Sequence, residues 1–472
     1  MELNKNQIKS FVEPHLHKYL TQSNYKIEKR KAISFLTHNR FDLSFKLLYL
    51  DHFNQNISFS KEYYKDHLRA FTLGSFKEPG NLNKNSYDKY IAEFETIFND
   101  IKSNGFDSTK SIVPISINNI IENGAHRVAS AIYLNKSISV VNINSKPPNY
   151  NYKFFFDRKV SRKALDAAAI KFAEYAENLF LAFIWPSASQ NELELDSFFK
   201  NIVYEKKIKL NFQGAHNLIS QVYFGEEWLG TIDDNFKGSI GKIVKCFDNF
   251  EPLRVIAFQS KNLSDVLEIK NKVRQIFDIG KHSIHITDTK EESLRLSKLV
   301  FNDNGIHFLN KAKPNKFKST HEKLMSIEKV LIKNNLNREN IILGNELSLS
   351  IYGLIEASSK DIYCGSSSKC RNFINYTTIV DEDFIFNPEN FFYFKNFKFI
   401  SFTKLYDFSK HNKSKTKLMK PLLKRNLILT FKIGLDQKLS YLGVFLKHSS
   451  VNFLREIGLL NLVKLLIKKF KL

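Results

Sequence analysis

Cysteine is scarce in this chain: Cys246, Cys364 and Cys370 are the only three among 472 residues. So few scattered thiols cannot build a disulfide framework or a zinc site, and a reducing, cytoplasmic location is expected. Long apolar runs are missing too. No stretch reaches the roughly 20 residues that a bilayer span requires. The opening segment Met1 to Gln7 lacks the apolar core of a secretory leader, so membrane contact is expected to be peripheral, at the inner face. Internal repeats and low-complexity tracts are also absent.

What remains is a chain with 43% hydrophobic residues, rich in Phe, Lys, Asn and Ile, and long enough for about three domains. Its formal charge is +23. The excess is uneven: from Ser401 onward sixteen Lys and Arg stand against three Asp and Glu, a balance of +13. Charge concentrated at one end suits an anionic membrane surface better than a nucleic acid spread along the molecule.

The most informative stretch is Ile121-Glu122-Asn123-Gly124-Ala125-His126-Arg127. The run Ile112 to Ile121 predicts a strand, Arg127 to Leu134 a helix, and Ser137 to Ile143 a second, alternating strand. A glycine turn opening a helix offers free N–H groups and the positive end of the helix dipole. Gly124 permits positive φ, Arg127 supplies a planar fork for phosphate, and His126 can carry a proton or donate a hydrogen bond. An ordinary turn with a solvated Arg127 is the competing reading.

Upstream, Phe71 to Lys84 is a loop punctuated by glycine and proline, and Ser86 is an N-cap. The helix that follows carries Tyr90, Ile91, Phe94, Ile97, Phe98 and Ile101 as its core stripe and ends at Gly105. Together these features resemble the ParB/sulfiredoxin-like superfamily over about residues 65–145. That resemblance implies that Gly124, Ala125 and Arg127 bind nucleotide phosphate, with ATP, CTP or a nucleotide-sugar as the cofactor or substrate. It also places the 71–84 loop beside the Gly124 turn, making Lys77, Glu78 and Lys84 supporting candidates. Asn123 stands where many members carry an acid, leaving Glu122 as the nearest carboxylate, and the cysteine a sulfiredoxin needs is absent here.

Residues 1–64 read as a helical cap completing a first domain, 1–150. Ser161 to Ile184, with its many alanines, reads as a helix closed by Trp185-Pro186 within a helical connector, 151–204. A central α/β domain, 205–312, is expected to hold short strands at Lys207 to Phe212, Gln221 to Phe224, Trp228 to Ile232 and Leu253 to Phe258, and a helix at Ser264 to Phe277. There His285 and Thr287 share one strand face, with Asp288 at the strand end, where α/β sheets bind ligands. The competing reading is a capping box in which Thr289 and Glu292 start a helix ending near Val300. His216 and His307 are further imidazoles without an assigned role.

The domain 313–440 contains Asn340 to Tyr363, which resembles the nucleotidyltransferase fold. The resemblance implies that Gly344 and Asn345 contact a nucleotide and that Asp361 binds Mg. Its second carboxylate position is Tyr363, and two-metal chemistry needs paired acids, so a degenerate, ligand-binding module is expected. The tail, 441–472, reads as a basic amphipathic helix with Asn461, Lys464, Lys468 and Lys471 on one face, suited either to an anionic bilayer or to packing on the protein.

The expected architecture is therefore multidomain α/β: a ParB/sulfiredoxin-like α+β module, a central α/β module, a nucleotidyltransferase-like α/β module and a C-terminal amphipathic helix. The combination is similar to large proteins of bacterial surface-polysaccharide assembly. It implies a cytoplasmic, membrane-peripheral transferase acting on a nucleotide, nucleotide-sugar, phosphorylated small molecule or glycan. His126 or Glu122 would be its acid or base, with His285 and Asp288 in a second site. A DNA-associated protein and a non-catalytic scaffold are the alternatives.

Overall fold

A computed structural model describes residues 2–423 apart from 54, 56, 79–83, 189–191 and 367–376, so the expected tail helix lies outside the described residues. The fold is mixed α/β, built around three mixed or antiparallel sheets. The first sheet contains β1 (Glu2–Asn4), β2 (Asn24–Lys31), β3 (Val113–Ile115) and β4 (Ser137–Asn142) in the order β1-β2-β4-β3. Only β3 and β4 run parallel.

This first sheet alters the reading of residues 1–64. They supply two strands, one of them central, as well as helices Asp42–Asp51 and Ser58–Phe71. In β2 only Tyr25 and Ile27 are buried, among Lys, Glu and Arg. Two apolar positions in eight residues are too few to separate a period of two from a helical surface. The strand expected from Ile112 to Ile121 stops at Ile115. Ser116 N–H then bonds Ile120 O (2.8 Å), Asn119 takes φ +59°, and Ile121 returns to bridge Ile115 antiparallel. Asn118-Asn119 is turn chemistry that outweighs the apolar run around it.

Local signals elsewhere act as expected. Ser86 caps helix Tyr87–Asn104 by accepting from Lys89 N–H, Gly105 closes it at φ +76°, and Tyr90, Phe94, Phe98 and Ile101 are its buried stripe. Each such aromatic contributes about 1.5–3 kcal/mol by leaving water.

The central sheet joins β5 (Leu179–Ile184), β6 (Ile202–Ile208), β7 (Leu253–Gln259) and β8 (Ile284–Ile286) in the order β6-β7-β5-β8, all antiparallel. The helix expected to reach Ile184 ends at Tyr175, and Leu179–Ile184 is a fully buried interior strand. A continuous apolar run does not reveal by periodicity whether it is helix or strand; its two neighbouring strands decide. The segments 221–224 and 228–232 are not strands: helix Phe212–Val222 and a short 3-10 turn, Glu227–Leu229, occupy this region.

The third sheet comprises β9 (Ile341–Leu343), β10 (Ile362–Gly365), β11 (Thr377–Val380), β12 (Phe391–Phe394) and β13 (Phe397–Ile400), in the order β11-β10-β9-β13-β12. A single large apolar cluster runs through all three units. Polar ties join them as well: Ser58 and Asp383 (2.8 Å), His38 and Gln259 (2.8 Å), and Asn302 and Phe391 (3.1 Å). Among the described residues no helix is long and apolar enough to cross a membrane.

Candidate functional site

The Gly124 turn opens helix Ala125–Tyr133, whose N-terminus no side chain caps. Gly124 sits at φ +84°, a conformation that favours glycine. Asn123 accepts the Gly124 N–H on its own side-chain oxygen. The Arg127 side chain folds back over the turn, so that a Cβ on Gly124 would stand 2.7 Å from its Nη2. Glycine is therefore required here both for backbone conformation and for the room it leaves a guanidinium.

Arg127 is half-buried, donates to Ser111 Oγ, and forms no ion pair among the described residues. Burial lowers its proton affinity, while the more distant Glu13, Glu78 and Glu93 oppose that effect. A guanidinium lying without a carboxylate at the positive end of a helix is electrostatically incomplete, and an anion would complete it. The nearby loop reaches the same place. Lys84 is buried and binds both Glu78 and Glu93 at 2.9 Å.

His126 lies deeper than its motif suggests. It is 8% exposed, shares a 2.6 Å hydrogen bond with Tyr64 Oη, and packs 4.5 Å from the Phe94 ring. Burial, then the charges of Lys46 and Lys84, holds the imidazole neutral well below its ordinary range. Its visible work is to pin the new helix to the aromatic core. Glu122 is half-buried and accepts from Ser145 Oγ at 2.5 Å; burial raises its carboxyl, as suits a group that exchanges a proton.

Beneath the turn is a charged cluster that the sequence reading missed. Arg40 forks onto Asp42 (Nε–Oδ1 and Nη2–Oδ2 both 2.8 Å), and Lys46 Nζ reaches the same carboxylate at 3.0 Å. Arg40 Nη1 donates to Ile121 O at 2.5 Å, gripping the chain just before Glu122. Asp42 and Lys46 stand one helical turn apart and Arg40 just before the helix, yet nothing in that spacing says that all three are buried.

The other expected site residues lie apart, on different sheets. His285 in β8 meets Glu292 Oε1 at 3.1 Å, and Asp288 pairs with Lys270 at 2.6 Å while largely exposed. Ligands gather at strand ends in parallel sheets, and every pairing in this sheet is antiparallel, so the end of β8 is not such a place. Thr289 instead caps helix Lys290–Val300 by accepting from Glu292 N–H at 3.1 Å, and Glu292 accepts from Asp288 N–H at 2.9 Å. His285 and Asp288 thus have structural partners.

In the third unit Gly344 begins the short helix Asn345–Ile351, and Gly344 N–H bonds Asp361 O at 2.7 Å. Gly344, Asn345, Asp361 and Tyr363 do come together where β9 and β10 pair. Tyr363 Oη donates to Asn345 Oδ1 (3.2 Å), and Asp361 Oδ1 accepts from Ser359 Oγ (2.8 Å). A magnesium ion does not fit this set: the second carboxylate is a phenol already engaged, and no group of three His, Cys, Asp or Glu suited to a metal occurs among the described residues. Comparison with protein-family models, with curated proteins and with solved structures returned no match.

Proposed function

We propose that the first unit binds a phosphate-bearing substrate at the Gly124 turn, and that the chain is a transferase handling a nucleotide, nucleotide-sugar or other phosphorylated compound. The observation that carries this reading is Arg127: half-buried, folded over a positive-φ glycine at an uncapped helix start, and lacking a carboxylate partner among the described residues. The phosphate would take the N–H groups that open the helix together with the guanidinium fork. Glu122, its carboxyl raised by burial, is the acid or base that this reading assigns. The basic chain after Ser401 supports work at an anionic membrane face, and the combination of resemblances supports a place in surface-polysaccharide assembly.

Calorimetry with ATP, CTP and a nucleotide-sugar tests the site. Arg127→Ala is expected to weaken binding of whichever ligand is taken by roughly 30-fold or more, the usual effect of removing one member of a desolvated charge pair. Arg127→Lys retains charge without the fork and is expected to recover only part of it. Equal affinity in wild type and Arg127→Ala removes the proposal. Gly124→Ala is a separate check. It places an L side chain at φ +84° and displaces the guanidinium, so it should cost about 1–2 kcal/mol of stability and lower affinity as well. Unaltered stability in thermal unfolding would contradict the turn geometry.

For the third unit a binding role without catalysis is the favoured second reading, since Tyr363 and Asn345 satisfy each other where paired carboxylates would be needed.

A further inference from the structure

A cavity of about 410 Å³ lies where the central unit meets the third sheet, away from the Gly124 turn. Junctions of this kind are where ligand pockets commonly form, and the volume falls in their usual range. From the central unit come Phe224 and Arg295; from the third come Phe394 and Lys395, and Arg338 with its partner Glu328. Phe224 is 59% exposed, an unusual setting for a phenyl ring beside a cavity.

Two of the three cations lining this cavity form no ion pair among the described residues. Arg338 is paired with Glu328, but Arg295 donates only to Gln221 O (2.9 Å) and forms no ion pair among the described residues. Lys395 also forms no ion pair among the described residues, the charge of Glu328 across the cavity acting on it from farther off. Its Nζ lies 5.4 Å from the Phe224 ring centroid and 5.9 Å from that of Phe394, and 3.3 Å from His321 Nδ1. His321 Nε2 meets Pro314 O at 3.0 Å, so Nε2 carries the proton and Nδ1 accepts from the lysine. Burial, then the charge of Lys395, holds this imidazole down to about 4, so near neutral pH it brings no second charge. Lys395 and Asn396 form the two-residue turn between β12 and β13, both at positive φ (+49° and +62°). A tight hairpin therefore fixes the backbone from which the lysine reaches the cavity.

We infer that this cavity binds a nucleoside phosphate, its base against Phe224 and its phosphate on Lys395 and Arg295. Two cations with no acid at ion-pair distance among the described residues ask for an anion, and an exposed phenyl ring beside Lys395 asks for a flat apolar face. Inorganic phosphate satisfies only the first demand, and an uncharged aromatic only the second. Asn396 at the tip of the turn has no hydrogen bond among the described residues and is free to meet the edge of a base.

The test uses the full chain with AMP, inorganic phosphate and adenosine in calorimetry, and 8-azido-AMP for photolabelling with peptide mapping. AMP is expected to bind at least tenfold more tightly than either fragment. Label is expected in the peptides containing Phe224 or Met325, which also lines the cavity. Lys395→Gln should weaken AMP binding roughly tenfold or more, and Phe224→Ala roughly three- to tenfold. Both positions lie at an exposed rim or turn, and circular dichroism confirms that each variant folds. The inference is overturned if AMP does not bind, if phosphate alone binds as tightly as AMP, or if both variants bind as wild type does. Label confined to the peptide carrying Gly124–Arg127 also overturns it, while leaving the Arg127 proposal standing. Loss of the Arg127 effect with label retained at Phe224 gives the converse result.

Discussion

Asp42→Ala is expected to destabilise the first unit by about 3–5 kcal/mol, the cost of leaving buried cations without their counter-ion. Arg40, Asp42 and Lys46 side chains are 3%, 1% and 5% exposed, so water cannot replace the lost carboxylate. Burial alone would raise the Asp42 carboxyl, but Arg40 and Lys46 outweigh it and keep the group ionised far below the usual carboxylate range. Because Arg40 also holds Ile121 O, the damage should spread into the Gly124 turn and weaken phosphate binding there. Asp42→Asn, which retains shape and one acceptor, should be less harmful than alanine. The contrasting variant is Glu28→Ala. Its partner Arg30 is 33% exposed, and solvent screens a surface pair of that kind, so little stability should be lost. Urea unfolding of the three variants, with hydrogen exchange to localise the loss, checks the ranking. An Asp42→Ala effect no larger than that of Glu28→Ala would refute the buried-cluster argument.

Acidification is the second large effect. Stability should fall steeply between pH 6.5 and 5. Burial holds His52 down to about 3, and His307 and His321 to about 4. It also holds His67 and His126 well below the ordinary range, with Lys46 adding to the effect on each. The unfolded chain binds protons at these sites as pH drops through about 6.5, whereas the folded chain does not, so folding loses free energy throughout that window. Each histidine contributes at most about 2 kcal/mol of loss by pH 5. Five together therefore approach the about 5–15 kcal/mol that holds a typical fold together. Glu122 and Asp166 act in the opposite direction, since burial raises both carboxyls: each takes up a proton in the folded chain above the ordinary carboxyl range and offsets part of the loss there. Glu339 adds to the loss lower down. Burial pushes its carboxyl up, yet Lys398 and Lys298 bring it to about 2, so its contribution fades as pH falls from about 4.5 toward 2. Thermal unfolding at pH 7.5, 6.5, 5.5 and 5.0 measures the slope. A midpoint that does not change across that series would mean that these imidazoles are open to solvent.

Which features were legible in the sequence follows from how far each determinant acts. Ser86 and Gly105 bound one helix, Thr289 begins another that ends at Val300 as expected, and Leu253–Gln259 is a buried strand. Those signals operate within a turn or a single strand, so residue order alone was sufficient. The turn at Gly124, with its positive φ and its Arg127, also belongs to this class, as does the shortage of carboxylates at Asp361 and Tyr363. Pairing and burial belong to the other class. Whether 179–184 is helix or strand depends on β7 and β8, about 70 and 100 residues downstream. That His126 is buried beneath Tyr64 and Phe94, that Asp42 sits between two cations, and that Phe224 and Lys395 face one cavity are results of chain segments converging. Local order determined the caps, the turns and the chemical inventory. Tertiary structure alone decided which charges lost their water, because desolvation is set by every neighbour a group acquires, however distant in the chain.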